Sequence, residues 1–160
     1  MDQTQPELLA PLGDLTAFAG RWVGGGSGHY PTIDDFAYDE EIELAPSGKP
    51  FLFYRSRTRK PGGGMPMHTE TATCAGRRWR RTPGGAAHRF RGDPPCHPVR
   101  RGSRLRLARA RRLPDAKPVH EIRRRFELLE GGTVLSYDMW MAFDAVPMTH
   151  HLRAELRRAD

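Results

Sequence analysis

The chain has 160 residues, a formal net charge of +7 and two cysteines. That length specifies one domain with a real core, and no apolar run is long enough to cross a membrane as a helix. Two cysteines make no disulfide framework and their spacing to His88 and His97 matches no zinc pattern; Met1 to Glu7 lacks the basic and apolar regions of a secretory leader, so a cytoplasmic setting is expected.

Residues 7 to 18 read as a helical turn or two, broken by Pro11 and Gly13. Next comes Trp22 among glycines, then Gly24-Gly25-Gly26-Ser27-Gly28. This suggests a strand whose backbone is closely approached, passing into a tight turn. The glycines lack the Gly-Lys-Ser/Thr of a phosphate loop, so a nucleotide reading is weak.

From Phe36 the hydrophobic period is two. Phe36, Tyr38, Ile42 and Leu44 share one face, and only Glu40 spoils it. Ala45 to Pro50 is a turn by composition, Phe51 to Thr58 a strand, Lys60 to Gly64 a turn, and Pro66 to Thr73 the start of another strand. Further on, His120, Ile122, Phe126 and Leu128 alternate with charged residues, Arg124 being the one exception. Glu130-Gly131-Gly132 reads as a hairpin turn, and Leu135, Tyr137, Met139, Met141 and Phe143 share one face of a long strand. Met148 to Arg158 reads as a closing strand. Short strands with tight turns and almost no helix predict an all-β fold, its antiparallel sheet closed into a barrel or packed as a sandwich.

Between Cys74 and Leu113 the alternation fails. Thirteen arginines lie there with Asp93 as the single acid, no lysine and no glutamate, a net of about +12 that outweighs the acidic remainder of the chain. One reading is a basic nucleic-acid-binding insert, which would gain affinity by releasing counterions. Against it, Trp79 and Phe90 are the only aromatic residues among the arginines and no nucleic-acid motif is present. The favoured reading is a shifted frame in a GC-rich gene. Arg, Gly, Pro and Ala use GC-rich codons, whereas lysine and glutamate, whose codons begin AA or GA, become scarce. Two compensating frame changes, near Thr71 to Cys74 and near Leu113, account for the segment; resequencing the gene tests this.

No Ser-His-Asp arrangement, catalytic carboxylate pair or cysteine nucleophile stands out. Of the seven histidines, His150-His151 is the most interesting, because it opens the last segment opposite the methionine-rich strand. One imidazole with apolar walls is what a haem pocket needs, although methionines at alternate positions are more often plain core.

The chain resembles nitrobindin, the haem-binding β-barrel family also described as peroxynitrite isomerases and as fatty-acid-binding-protein-like. The residues that carry the resemblance are Gly20-Arg21-Trp22-Val23-Gly24-Gly25-Gly26, Tyr30-Pro31-Thr32, Pro66-Met67-His68-Thr69-Glu70 and His151-Leu152, within residues 8 to 72 and 114 to 158. The resemblance implies a single-domain, up-and-down antiparallel barrel of about ten strands with a short N-terminal helical segment, holding one haem b. His151 would be the iron ligand and catalytic centre, Thr32 would contact the haem, and Met67, His68 and Met141 would line its cavity. It also implies isomerisation of peroxynitrite to nitrate and binding of nitric oxide, with no nucleic-acid or membrane partner expected.

Two departures accompany the resemblance. Strict alternation puts His150, not His151, on the apolar face with Leu152 and Leu156; the motif points to His151, and a residue at a strand's entry need not obey the alternation. The arginine-rich segment stands where the family has about three middle strands, and open edges there predict weak folding and impaired haem binding. The alternatives are a lipid or small-apolar-ligand carrier without iron, and a defective product of a frame-shifted gene.

Overall fold

The computed structural model describes residues 5–75, 104–108 and 119–159. A short helix α1 (Gln5–Leu9) runs into a 3-10 segment (Ala10–Phe18) that kinks at Gly13, where φ is +56°. Eight strands follow among the described residues: β1 (Gly20–Tyr30), β2 (Ile33–Pro46), β3 (Phe51–Arg59), β4 (Pro66–Ala75), β5 (Arg104–Ala108), β6 (Val119–Leu129), β7 (Val134–Phe143) and β8 (Val146–Ala159). Their order in one sheet is β4-β3-β2-β1-β8-β7-β6-β5, every neighbouring pair antiparallel. This is the all-β antiparallel architecture that the alternating pattern predicts, in the up-and-down order that the resemblance implies; β1 and β8, the first and last strands in the chain, are paired, and eight strands are described where the resemblance implies about ten.

The sheet curls upon itself. Arg124 on β6 reaches the Tyr54 hydroxyl on β3 at 2.6 Å. Those strands stand five positions apart in the sheet, about 24 Å across a flat surface. Only a strongly curved sheet brings them together, and the residues on its concave side form the core: Trp22, Tyr38, Ile42, Leu44, Leu52 and Tyr54 from one half, with Phe126, Leu135, Tyr137 and Leu156 from the other.

The N-terminal segment plugs one end. Leu12, Leu15 and Phe18 are buried in the same cluster, and the Trp22 indole N–H donates to the Phe18 carbonyl at 2.9 Å. Arg158, near the end of β8, lies 4.1 Å from the centroid of the Trp22 ring and donates to the carbonyls of Ala17 and Ala19 at 2.8 and 2.6 Å. Two charge-assisted hydrogen bonds and a cation–π contact make Arg158 a clamp on the plug. Arg158→Ala is expected to cost about 2 kcal/mol, seen as a lower urea midpoint at unchanged slope.

The glycine cluster departs from its expected role. Gly24 to Gly28 do not pass into a turn but lie inside β1, paired on both sides to β2 and β8. The reason is volume. A side chain at Gly26 would meet the Tyr38 ring, and one at Gly28 would fall inside the Phe36 ring, so the missing side chains let aromatic rings from β2 fold over β1.

Of the arginine-rich segment, the described residues include only Cys74, Ala75 and β5. The strand pattern carries through to Ala75, and β5 pairs with β6 from Arg104↔Glu127 to Ala108↔Arg123. That is a strand where alternation fails in the sequence. The remaining residues of that segment, with His88, Cys96 and His97, lie outside the described ones.

Candidate functional site

The end of the barrel away from the plug is shaped by irregularities in the strands. Along β8, Leu152, Ala154 and Leu156 face inward, and the ladder with β7 runs regularly from Val134↔Arg157 to Met139↔Leu152. The next pair is Trp140↔His150, so His151 is an extra, unpaired residue. This is a β-bulge, and it re-aims one side chain. His150 stays outside, its Nε2 3.0 Å from Asp138 Oδ1 and its ring edge against Trp140. His151 turns inward, its ring centroid 5.1 Å from that of Tyr30 and 6.2 Å from that of Phe36. Strict alternation assigned the inward place to His150; the bulge reverses that assignment.

The opposing strand is irregular at the same level. The ladder between β1 and β8 ends at Gly28↔Leu152, and β1 shifts register against β2 between Gly28 and Tyr30. The gap is bridged by His151, whose Nδ1 lies 3.0 Å from the His29 carbonyl oxygen. A carbonyl only accepts, so Nδ1 carries the proton and Nε2 keeps its lone pair. Burial lowers the His151 pKa, partly opposed by the His29 hydrogen bond, which favours the neutral ring that a metal needs.

Tyr30 and Phe36 stand against His151, and Phe143 packs edge-on against Tyr30. Tyr30 is 2% exposed and its hydroxyl donates to the Met141 carbonyl at 3.2 Å. By alternation from Tyr137 and Met139, Met141 is on the inward face of β7. On β4, His68 shares the face of Glu70 and Cys74, directly opposite Thr58. Met67 is on the other face of that strand, 42% exposed and turned away from the interior. Thr32 is exposed in the two-residue turn between β1 and β2. The structure thus brings His151 and Met141 to the interior, leaves His68 exposed at the end of the β4 face that carries Glu70 and Cys74, places Thr32 exposed in the turn and sets Met67 outside.

Below this apolar collar lies a polar layer whose charged members show in the sequence only as breaks in the alternation. Glu40 and Arg124, the two residues that break otherwise apolar faces, both point into the barrel, 3% and 6% exposed. Glu40 accepts from the Ser56 hydroxyl at 2.5 Å and the Tyr137 hydroxyl at 2.7 Å, and the Tyr38 hydroxyl lies 2.7 Å from that of Tyr137. Arg124 donates to Tyr54 at 2.6 Å and Glu70 at 2.8 Å, with Met139 Sδ 3.2 Å from its Nη2. Its guanidinium also lies 5.1 Å from the Tyr137 ring centroid. Burial opposes the charge on Arg124, but the oxygens of Tyr54, Glu70, Tyr137 and Glu40 hold its pKa well above the usual value. The Arg124 Nε, fully buried, has no partner. Periodicity carried the signal for both residues: a single charged side chain in a clean apolar stripe is costly unless it is paired.

Burial raises the Glu40 pKa, with the Ser56 and Tyr137 hydrogen bonds and Arg124 pulling the other way. The folded state therefore binds the Glu40 proton more tightly than the unfolded chain does. Its contribution is present below the unfolded carboxylate pKa and is lost as pH rises through the folded value. Glu40→Gln, neutral throughout, should lack this loss. Denaturant melts are expected to show the wild type falling progressively behind Glu40→Gln as pH rises from acid to neutral; parallel curves would contradict the assignment.

Among the described residues no group of three or more His, Cys, Asp or Glu side chains is placed to hold a metal ion. What the interior offers is one neutral imidazole, aromatic and thioether walls, and a buried cationic floor. That is the donor set of a barrel that takes a metal already held in an apolar macrocycle, since one axial nitrogen and a dry cavity suffice. Comparison with known proteins gives the same class. The family model described as a THAP4-like, heme-binding beta-barrel domain matches residues 11–158, and the chain belongs to that family. It is 48% identical to peroxynitrite isomerase 1 of Rhodococcus jostii over 96% of this chain and 84% of that protein. It is 37% identical to the peroxynitrite isomerase of Nocardia farcinica over 98% and 95% of the two chains. The crystal structure of Rv2717c from M. tuberculosis superposes with a TM-score of 0.66 at 27% identity, covering 99% of this chain and all of that one.

Proposed function

We propose that this protein binds haem b and isomerises peroxynitrite to nitrate, with His151 as the residue that would hold the haem iron. The observation that carries the reading is the bulge on β8, which turns one neutral imidazole inward with Nδ1 protonated and Nε2 free. The donor set fits the group. His151 supplies the nitrogen, while Tyr30, Phe36, Phe143 and Met141 supply the apolar walls. The partnerless Arg124 Nε, buried beneath them, suits a carboxylate-bearing ligand. His68 and Thr32 are the further contacts proposed at the rim. Met67, on the outer face, contributes through β4 rather than by touching the cavity.

Haem, when bound, supplies a Lewis-acidic iron that lowers the barrier to O–O cleavage and recombination of the fragments as nitrate. The chain's own residues do the rest. His151 would hold the cofactor, and its hydrogen bond to the His29 carbonyl keeps the ring from rotating. The rings of Tyr30 and Phe36 flank the imidazole and would pack against the bound group, and the water so displaced would strengthen the charge interactions there. Arg124, cationic and buried, favours an anionic substrate. Nitric oxide, small and uncharged, is proposed to enter the same cavity.

Stopped-flow mixing of the haem-loaded chain with peroxynitrite tests the reading. Catalysed decay with nitrate as the product is expected, and a pyridine haemochrome spectrum identifies the cofactor. Decay no faster than in buffer, with haem bound, would overturn it.

A further inference from the structure

The ladder between β1 and β8 stops at Gly28↔Leu152, and one step further the strands are joined by an imidazole instead of a backbone pair. The orientation of His151 therefore depends on where the His29 carbonyl points. That carbonyl belongs to the peptide bond that leads into Tyr30. The His29 side chain cannot fix it strongly: it is 65% exposed, and its partner Asp35 is 77% exposed, where an ion pair contributes little. Tyr30 can. It is 2% exposed, its hydroxyl donates to the Met141 carbonyl across the barrel mouth at 3.2 Å, and its ring packs edge-on against Phe143. The same ring meets His151 at 5.1 Å between centroids and 69° between planes, so it also limits rotation of the imidazole directly.

We infer that Tyr30 is the positioning residue for His151: pinned to β7 through Met141, it fixes the His29 carbonyl that takes the Nδ1 proton, and so leaves Nε2 as the nitrogen presented to the interior. The inference rests on His151 as the axial ligand. Tyr30 touches neither iron nor substrate in this role; it acts on the ligand, setting its tautomer and its angle. A hydrogen bond on Nδ1 also makes Nε2 the more basic donor.

The experiment begins with haem-free protein labelled with 15N-histidine. Long-range 15N–1H spectra report which ring nitrogen of each histidine carries the proton, a property that loss of stability alone does not move. His151 is expected to be the Nδ1–H tautomer, whereas His150, whose Nε2 faces the Asp138 carboxylate, should be the Nε2–H tautomer. Tyr30→Phe keeps the ring and removes the tie to Met141; Tyr30→Leu removes the ring contact as well. In Tyr30→Phe, checked as folded by circular dichroism, the His151 signal should shift toward Nε2–H. In haem-loaded protein the same variant should release haem about tenfold faster, the low end of the effects of removing such supporting contacts. The ferrous iron–histidine stretching band should also weaken and broaden, and Tyr30→Leu should go further in each readout. An Nε2–H tautomer in the wild type, or a Tyr30→Phe protein with unchanged tautomer and haem release, would overturn the inference. A wild-type chain that shows Nδ1–H yet binds no haem would instead overturn the haem reading.

Discussion

His151→Ala is expected to abolish the Soret absorption of haem-reconstituted protein, and His150→Ala to leave it intact. Adjacent histidines in a regular strand would point to opposite faces, and alternation alone would give the inward place to His150, beside Leu152 and Leu156. The extra residue in β8 moves that place to His151. His150 is held outside by Asp138 and Trp140, against a surface that also carries Arg125. So held, His150 is not placed to take over from the lost ligand. The expected loss of haem affinity for His151→Ala is therefore large, more than the roughly 10–100-fold typical of removing a supporting contact. Haem titration followed by absorbance measures both variants. A His151→Ala protein that keeps a wild-type Soret band would sink the assignment.

The second large effect is expected at Arg124. Its side chain is 7% exposed and connects β6 to Tyr54 on β3 and Glu70 on β4, strands far from it in the sheet order. Arg124→Leu leaves the Glu70 carboxylate and the Tyr54 hydroxyl without their cation. It also removes the positive charge that offsets burial of Glu40. Removing one partner of a buried ion pair costs about 3–5 kcal/mol. Because Glu70 is 35% exposed and can regain water, the lower end, about 3 kcal/mol, is expected here. Equilibrium unfolding in urea reads it directly. The double variant Arg124→Leu with Glu70→Leu should recover part of the loss, since residues in one network are not additive. Equal costs for the single and double variants would show that the pair does not couple.

Much of the architecture was legible in the sequence. The period-two stripes of Phe36 to Leu44 and Leu135 to Phe143 located β2 and β7, and turn composition located the hairpins, because a half-buried strand must alternate and a tight turn needs Gly, Pro or Asn-type chemistry. What escaped lay in places where a side chain's direction is decided by its neighbours. Nothing in His150-His151 announces a bulge; it exists because β7 and β8 must stay paired on both sides of it. The glycines of β1 looked like a turn because their absent side chains are replaced by rings from β2, a tertiary cause. Glu40 and Arg124 were visible as faults in two stripes, yet the sequence does not say that the two faults meet. Only the curl of the sheet brings them into one polar layer with Tyr38, Tyr54 and Tyr137. The frame-shift reading of the arginine-rich segment falls on residues that are mostly outside the described ones, apart from β4's end and β5.

One measurement bears most directly on the whole account: titration of the folded, full-length chain with haem, monitored in the Soret region. One equivalent of haem taken up with a sharp band that His151→Ala removes is the predicted result. A chain that melts cooperatively but stays colourless after haem is supplied would contradict the account.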